Sequence, residues 1–245
     1  MSGSAGACRL GMLTPSSNTV LEPVTNAMLA GLPHVSAHFA RFRVTQISLD
    51  ASGLGQFEIE PMLSAADLLA DARVASICWS GTSGGWLGFE RDQRLCAAIA
   101  ERTGIPACSS VLALNEVFAR TGVRRFGLVT PYVREVQQAI IASYAKAGFE
   151  CVAECHLDER DNFAFSEYGE ALMAKLCREV AARKPDVITI FCTNLRGAPI
   201  AAQLEEELRI PIYDTVATGL WKSLLLAGVA PQRVQGWGCL FSEVG

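Results

Sequence analysis

Short apolar runs rich in β-branched residues alternate along the chain with longer stretches in which apolar residues recur every three or four positions. The first pattern predicts strands and the second helices. Strands are predicted at Arg9–Leu13, Val35–Val44, Val74–Trp79, Ala107–Ser109, Arg125–Val129, Cys151–Leu157, Val187–Phe191 and Pro211–Tyr213. Between them, Tyr132–Ala147 presents Val133, Val136, Ile140, Ile141 and Tyr144 on one helical face. Ser166–Arg183 presents Tyr168, Ala171, Leu172, Leu176 and Val180, with Ser166 as its expected cap. Gly122 and Gly148 stand where helices should stop. Strands separated by helices pair in parallel through right-handed crossovers, so the expected fold class is α/β.

The pattern also repeats. Arg9-Leu10-Gly11-Met12-Leu13-Thr14-Pro15 returns as Arg125-Phe126-Gly127-Leu128-Val129-Thr130-Pro131, at an offset of 116 residues. Val74–Trp79 leads into Ser80-Gly81-Thr82-Ser83, a helix, Gly104-Ile105-Pro106 and a short strand. Val187–Phe191 leads into Cys192-Thr193-Asn194, a helix, Arg209-Ile210-Pro211 and a short strand, with 111 residues from Gly81 to Cys192. Two matches in one order at nearly one offset predict two homologous parallel-sheet halves. Their expected bounds are 1–120 and 121–245, with a C-terminal helix free to pack back on the first half.

Composition narrows the function classes. Of 245 residues, half are hydrophobic and 19% charged, which excludes a disordered chain. The net charge of −4 argues against a nucleic-acid binder. The longest apolar stretch, Leu220–Ala230, is broken by Lys222 and Ser223, so no membrane span is expected. Residues 1–7 lack a basic region and an apolar run, so a cytoplasmic location is expected. Nine cysteines, without a CxxC pair, read as free thiols rather than a disulfide framework. Cys151, Cys155 and His156 have poor spacing for zinc, and no metal or other cofactor is expected. Most cysteines, Cys78 among them, read as small apolar packing residues.

Ligands of open α/β sheets bind beyond the carboxyl ends of strands. Two halves facing each other would therefore line one cleft with Pro15–Asn18, Gly81–Ser83, Pro131–Tyr132 and Cys192–Asn194. Each loop is expected to enter a helix N-terminus, whose free N–H groups suit a carboxylate and lower a thiol pKa.

With these loops the chain resembles the aspartate/glutamate racemase superfamily, in the branch of arylmalonate decarboxylase and maleate cis-trans isomerase. The matching pieces are Gly11–Thr19, Gly81–Gly84, Leu128–Tyr132, Cys192–Leu195 and Gly236–Gly238. Trp79–Trp86 and Phe191–Gly197 also look like the ectoine-utilisation (EutA-type) proteins of this branch. The resemblance implies an enzyme that needs no cofactor, with one proton-transfer cysteine per half. Here Gly81 stands at the first position and Cys192 at the second, the arrangement of arylmalonate decarboxylase. Asn18 and Asn162 resemble the substrate-carboxylate contacts of the isomerase.

All these reactions place negative charge on a carboxylate while the adjacent carbon becomes a carbanion, so fixed donors are needed. The candidates are Thr82, Ser83, the Tyr132 hydroxyl and the backbone N–H of Thr193, with Cys192 as proton donor. Pro15, Ser16, Asn18, Asn162, Thr193 and Asn194 complete the expected substrate contacts. Each has a plainer alternative: Gly81 as a turn glycine, Tyr132, Ser16 and Asn18 as helix caps, Asn162 as an ordinary loop asparagine. Trp79, Trp86 and Phe89 either wall the pocket or pack the core.

The expected partner is a small carboxylate substrate, and self-association is left open. The expected reaction is decarboxylation, because loss of CO2 requires one proton donor only. Maleate isomerisation and amino-acid racemisation stay as alternatives, as does a non-catalytic carboxylate-binding protein. If the two loops face one another, Gly81→Cys is expected to restore two-sided proton transfer.

Overall fold

A computed structural model describes residues 7–244. The leader-free reading of residues 1–6 lies outside these. The first half holds β1 (Cys8–Pro15), α1 (Leu21–Leu29), β2 (Val35–Phe42), α2 (Ala51–Gly55), α3 (Ile59–Asp71), β3 (Ser76–Trp79), α4 (Gly84–Leu87), α5 (Phe89–Thr103), β4 (Ala107–Ser109) and α6 (Ser110–Thr121). The second holds β5 (Arg125–Tyr132), α7 (Arg134–Lys146), β6 (Glu150–Glu159), α8 (Glu170–Ala181), β7 (Val187–Ile190), α9 (Ala201–Leu208), β8 (Ile212–Asp214), α10 (Thr215–Leu226) and α11 (Cys239–Glu243).

Each half is a four-stranded parallel sheet, ordered β2-β1-β3-β4 in the first and β6-β5-β7-β8 in the second. The identical order is what the 116-residue repeat predicts. The glycine at the centre of each repeat has a packing cause. A Cβ on Gly127 would lie 2.1 Å from Val180 of α8, and one on Gly11 would lie 3.2 Å from Leu69 of α3. The helices that cover β5 and β1 therefore rest almost on the backbone. Both strands are buried from their third residue onward, as expected for sheets covered on two faces.

The halves exchange their last long helices. α10 packs on α6, β3 and β4 of the first half. Thr218 Oγ1 donates to Ser110 O at 2.9 Å and Ser76 Oγ to Ser223 O at 3.1 Å. In return Phe118 of α6 packs its ring on Phe126, Tyr144, Phe149 and Tyr213 of the second half. The terminal turn α11 stays beside α10 and β8. No described helix is long and apolar enough to cross a membrane.

Some local expectations change. Tyr132 belongs to β5, and the helix after it begins at Arg134. The stretch from Ser166 is divided: Ala164–Glu167 forms a 3-10 turn, and α8 starts at Glu170 with Gly169 as its cap. Ser166 Oγ instead donates to Phe163 O at 2.8 Å. Its buried face is consequently Met173, Leu176, Cys177 and Val180 rather than one running from Tyr168.

Candidate active site

The carboxyl ends of β1, β3, β5 and β7 meet between the halves. Asn18 accepts from Val20 N at 3.0 Å and Leu21 N at 2.9 Å, the free donors at the start of α1. Its amide then donates to Thr193 O at 3.0 Å and Thr193 Oγ1 at 3.2 Å in the other half. Thr193 Oγ1 donates back to Ser80 O at 3.0 Å. Asn194 Oδ1 accepts from Thr19 N at 3.0 Å and Val20 N at 3.2 Å, while its amide donates to Asn162 O. Asn162 Nδ2 donates to Ser17 Oγ at 2.8 Å. These side chains fix the two halves together around the cleft.

Over the cleft the loops after β2 and β6 pair backbone to backbone. Asn162 N donates to Thr45 O at 3.0 Å and Ile47 N to Arg160 O at 2.9 Å, around an antiparallel bridge of Gln46 with Asp161. Ile47 and Asn162 thereby form the roof of a tight cavity of about 20 Å³.

Pro15, Gly81, Thr82, Ser83, Tyr132, Asn162, Cys192 and Thr193 line this cavity, and all are buried. Thr82 Oγ1 and Tyr132 Oη are hydrogen-bonded at 2.6 Å across the halves. Three expected contacts lie outside the lining. Ser16 is exposed, with its hydroxyl engaged by Val44, and Asn18 and Asn194 spend their amides on the bonds between the halves. The remaining walls are Val44, Ile47, Phe57, Trp79 and Trp86. Trp79 and Trp86 both pack in the core and face the cavity, whereas Phe89 pairs with Tyr144 elsewhere at 5.1 Å. Val44 was expected to end a strand, but β2 stops at Phe42; Ile47 and Phe57 carried no periodic signal, and all three lie in the connection from β2 to α3, outside its short helix α2. A larger hollow of about 360 Å³ adjoins the cavity, sharing Phe57 and Ser83 and reaching Arg91 and Asp92.

The cavity lining contains no Asp, Glu, Lys, Arg or His. Its chemistry is carried by neutral donors and one thiol. Burial pushes the Cys192 thiol up to about 12, against the opposing hydrogen bonds from Tyr132 and the Asn194 backbone. This corrects the expectation of a lowered thiol pKa. The chain after Cys192 bends through a 3-10 turn, Ala198–Ile200, before α9 begins, so no α-helix N-terminus sits at the sulfur. Burial likewise pushes the Tyr132 phenol well above its ordinary value, with Cys192 beside it adding to the shift. Both groups hold their protons at neutral pH.

Gly81 does not leave room for a thiol. A Cβ added there would stand 2.2 Å from Cζ2 and 2.7 Å from Cε2 of Trp79. A side chain at position 81 therefore requires the Trp79 indole to shift.

Two repeated parallel sheets closing on a shared cleft, with a cysteine at the end of β7, define an enzyme of the aspartate/glutamate racemase fold. Residues 10–241 match the arylmalonate decarboxylase family, and the chain belongs to it. It stands in the branch of cofactor-independent, cysteine-based decarboxylases and isomerases. It is 25% identical over 240 residues to arylmalonate decarboxylase of Bordetella bronchiseptica, covering 96% of each chain. It is 26% identical over 246 residues to maleate isomerase of Pseudomonas putida, covering 96% of this chain and 97% of that protein. Among solved structures, maleate cis-trans isomerase of Nocardia farcinica with a bound succinylcysteine intermediate superposes with a TM-score of 0.89 at 23% identity. The match covers 98% of this chain and all of that one. A liganded arylmalonate decarboxylase variant, with glycine-to-cysteine and cysteine-to-serine exchanges, gives 0.85 at 22% identity, covering 96% of this chain and 99% of that one.

Proposed function

We propose that the protein decarboxylates a small substituted malonate-like diacid, with Cys192 as the sole proton donor. The observation that supports this reading most directly is the cavity lining, in which Cys192 is the one thiol and Gly81 stands where a second would be expected. The bond from the α-carbon to one carboxylate breaks, CO2 leaves, and the electron pair passes to the α-carbon and the remaining carboxylate. Thr82, Ser83, Tyr132 and the Thr193 backbone N–H hold that enediolate charge. Each such donor is worth ~2.7–4 kcal/mol of barrier in other enzymes. Cys192 then gives its Sγ–H proton to one face of the carbon, and its thiolate recovers a proton from water. A thiol protonated at neutral pH suits this role better than it suits nucleophilic attack.

Two-base racemisation lacks its second acid/base, and isomerisation through an adduct on a first cysteine lacks that cysteine. An amino-acid substrate, as an ectoine-related role would imply, lacks a cavity-lining carboxylate to meet its ammonium. A purely binding role is separated by chemistry. Incubating the protein with phenylmalonate in D2O should release CO2 and place one deuterium on the product, whereas a binder leaves the acid intact. Cys192→Ala should lower turnover by ~10²–10⁴-fold while keeping the wild-type unfolding midpoint. Full activity in that variant excludes the mechanism.

A further inference from the structure

Two buried tryptophans line the cavity in an unusual state. Trp79 is 1% exposed and Trp86 is 8% exposed, yet neither indole Nε1 has a hydrogen-bond partner among the described residues. A buried N–H without an acceptor is costly and uncommon. An indole N–H only donates. The other two tryptophans show the ordinary arrangement or lie elsewhere: Trp221 Nε1 donates to Val244 O at 2.9 Å, and Trp237 belongs to a separate surface hollow.

The position of Trp79 is fixed by packing. Its ring meets Phe42 at 5.2 Å and Phe57 at 6.5 Å. Trp86 meets Phe57 at 5.9 Å and Tyr132 at 5.1 Å. This aromatic chain carries Trp79 across the front of Gly81, where an added Cβ would meet Cζ2 at 2.2 Å, Cη2 at 2.3 Å and Cε2 at 2.7 Å. Nε1 is bonded to Cε2 and so stands two bonds from Cζ2, the ring atom nearest the glycine.

We infer that Trp79 is a specificity-determining residue that takes over the first half's proton-transfer position. Its ring fills the volume a side chain at position 81 would need, so that face of the substrate meets a hydrocarbon edge and receives no proton. Its N–H, with that of Trp86, binds an acceptor oxygen of the substrate. The position therefore changes from proton transfer to anion recognition. The inference rests on the proposed function for its account of which face is protonated, but the exclusion of volume and the donor role stand on geometry alone.

Two experiments test these parts without relying on turnover. The first is a thermal-unfolding cycle of wild type, Gly81→Cys, Trp79→Ala and the double variant. Gly81→Cys should lower the midpoint by about 2–12 °C, because overpacking a closed site is destabilising. Adding Trp79→Ala should recover part of that loss, leaving the double variant more stable than the two separate effects predict. A wild-type midpoint in Gly81→Cys, or strictly additive effects, overturns the volume argument. If the double variant cannot be purified folded, the midpoint of Gly81→Cys alone decides. The second experiment follows the indole ¹⁵N–¹H signals during titration with phenylmalonate, maleate and acetate. The Trp79 and Trp86 signals should move downfield with at least one of these acids, while the Trp221 signal, already bonded, stays in place. Trp79→Phe should weaken that binding about tenfold, the effect of one bond to a charged acceptor. Unmoved Trp79 and Trp86 signals with all three acids overturn the donor role. Loss of turnover in Cys192→Ala bears on neither result, so failure here is distinguishable from failure of the decarboxylase reading.

Discussion

Raising the pH from about 4.5 to about 8 should weaken the fold, and the cause lies in two buried carboxyls behind the loops of the cleft, Asp92 against Gly84 and Asp214 against Gly197. Asp92 sits on α5 and Asp214 at the end of β8; both are fully enclosed, and each has an Oδ2 without a hydrogen-bond partner among the described residues. Burial raises both acids to about 7, against the Ser109 hydroxyl and Arg91 charge at Asp92 and the Val216, Ala217 and Ala198 backbone N–H groups at Asp214. In the unfolded chain an Asp titrates near ~3.9. Between these values the folded state keeps a proton that the unfolded state has released. The stabilising contribution is therefore complete below about pH 4 and lost as the pH rises through about 7. One group so shifted changes stability by at most about 1.4 kcal/mol per pH unit, or about 4 kcal/mol across the window. Relaxation and water entry reduce such penalties, so about 1–2 kcal/mol per pH unit is expected from the pair. Carboxylates with lowered values, such as Asp186 held down by the Arg124 and Arg125 backbone N–H groups, have the opposite sign and act at lower pH. Urea unfolding at fixed ionic strength, repeated at three or more pH values with the denaturant slope compared throughout, measures the effect. Asp92→Asn and Asp214→Asn should each flatten the decline, whatever they do to its absolute level. A wild-type stability that is flat or rising across the window, or Asn variants with an unchanged slope, would refute the argument.

Two further outcomes follow from the bonds across the cleft. Tyr132→Phe removes one anion donor and leaves Thr82 Oγ1 without its 2.6 Å partner, so turnover of an accepted acid should fall ~10²–10³-fold. A loss under threefold in steady-state kinetics would place Tyr132 outside the chemistry. Asn194→Ala strips Thr19 N and Asn162 O of their shared partner and should cost about 2–4 kcal/mol. Thermal unfolding should register this as a fall of about 5–15 °C, and a fall under 2 °C would contradict the bridging role.

The architecture was legible because its signals are short-range and doubled. Every predicted strand overlaps an observed one, and the Arg9 and Arg125 repeats occupy β1 and β5 at matching places in identical sheets. Alternating elements and strand-end loops sufficed to bring Gly81, Thr82, Ser83, Tyr132, Cys192 and Thr193 to one cavity. What escaped depends on three-dimensional crowding. Nothing in the spacing of Trp79 and Gly81 shows that the indole folds back over the glycine. The electrostatics of Cys192 escaped for a related reason. Its loop resembles a helix start in sequence, but the intervening 3-10 turn and complete burial reverse the expected shift. Asn18 and Asn194 were recognised as polar groups at the cleft, yet their partners lie about 175 residues away, beyond the reach of any local pattern.

The exchange of α6 and α10 has a kinetic consequence. Two lobes joined by a linker can swing apart to admit a ligand, but here each lobe is capped by a helix that the other lobe supplies. A hinge motion would strip apolar surface from both sheets at once. The cavity is instead bordered by the paired loops around Gln46 and Asp161, held by few backbone bonds, and by the hollow it adjoins at Phe57 and Ser83. A ligand that entered by moving those peripheral segments would leave the Asn18, Thr193 and Asn194 bonds between the lobes intact.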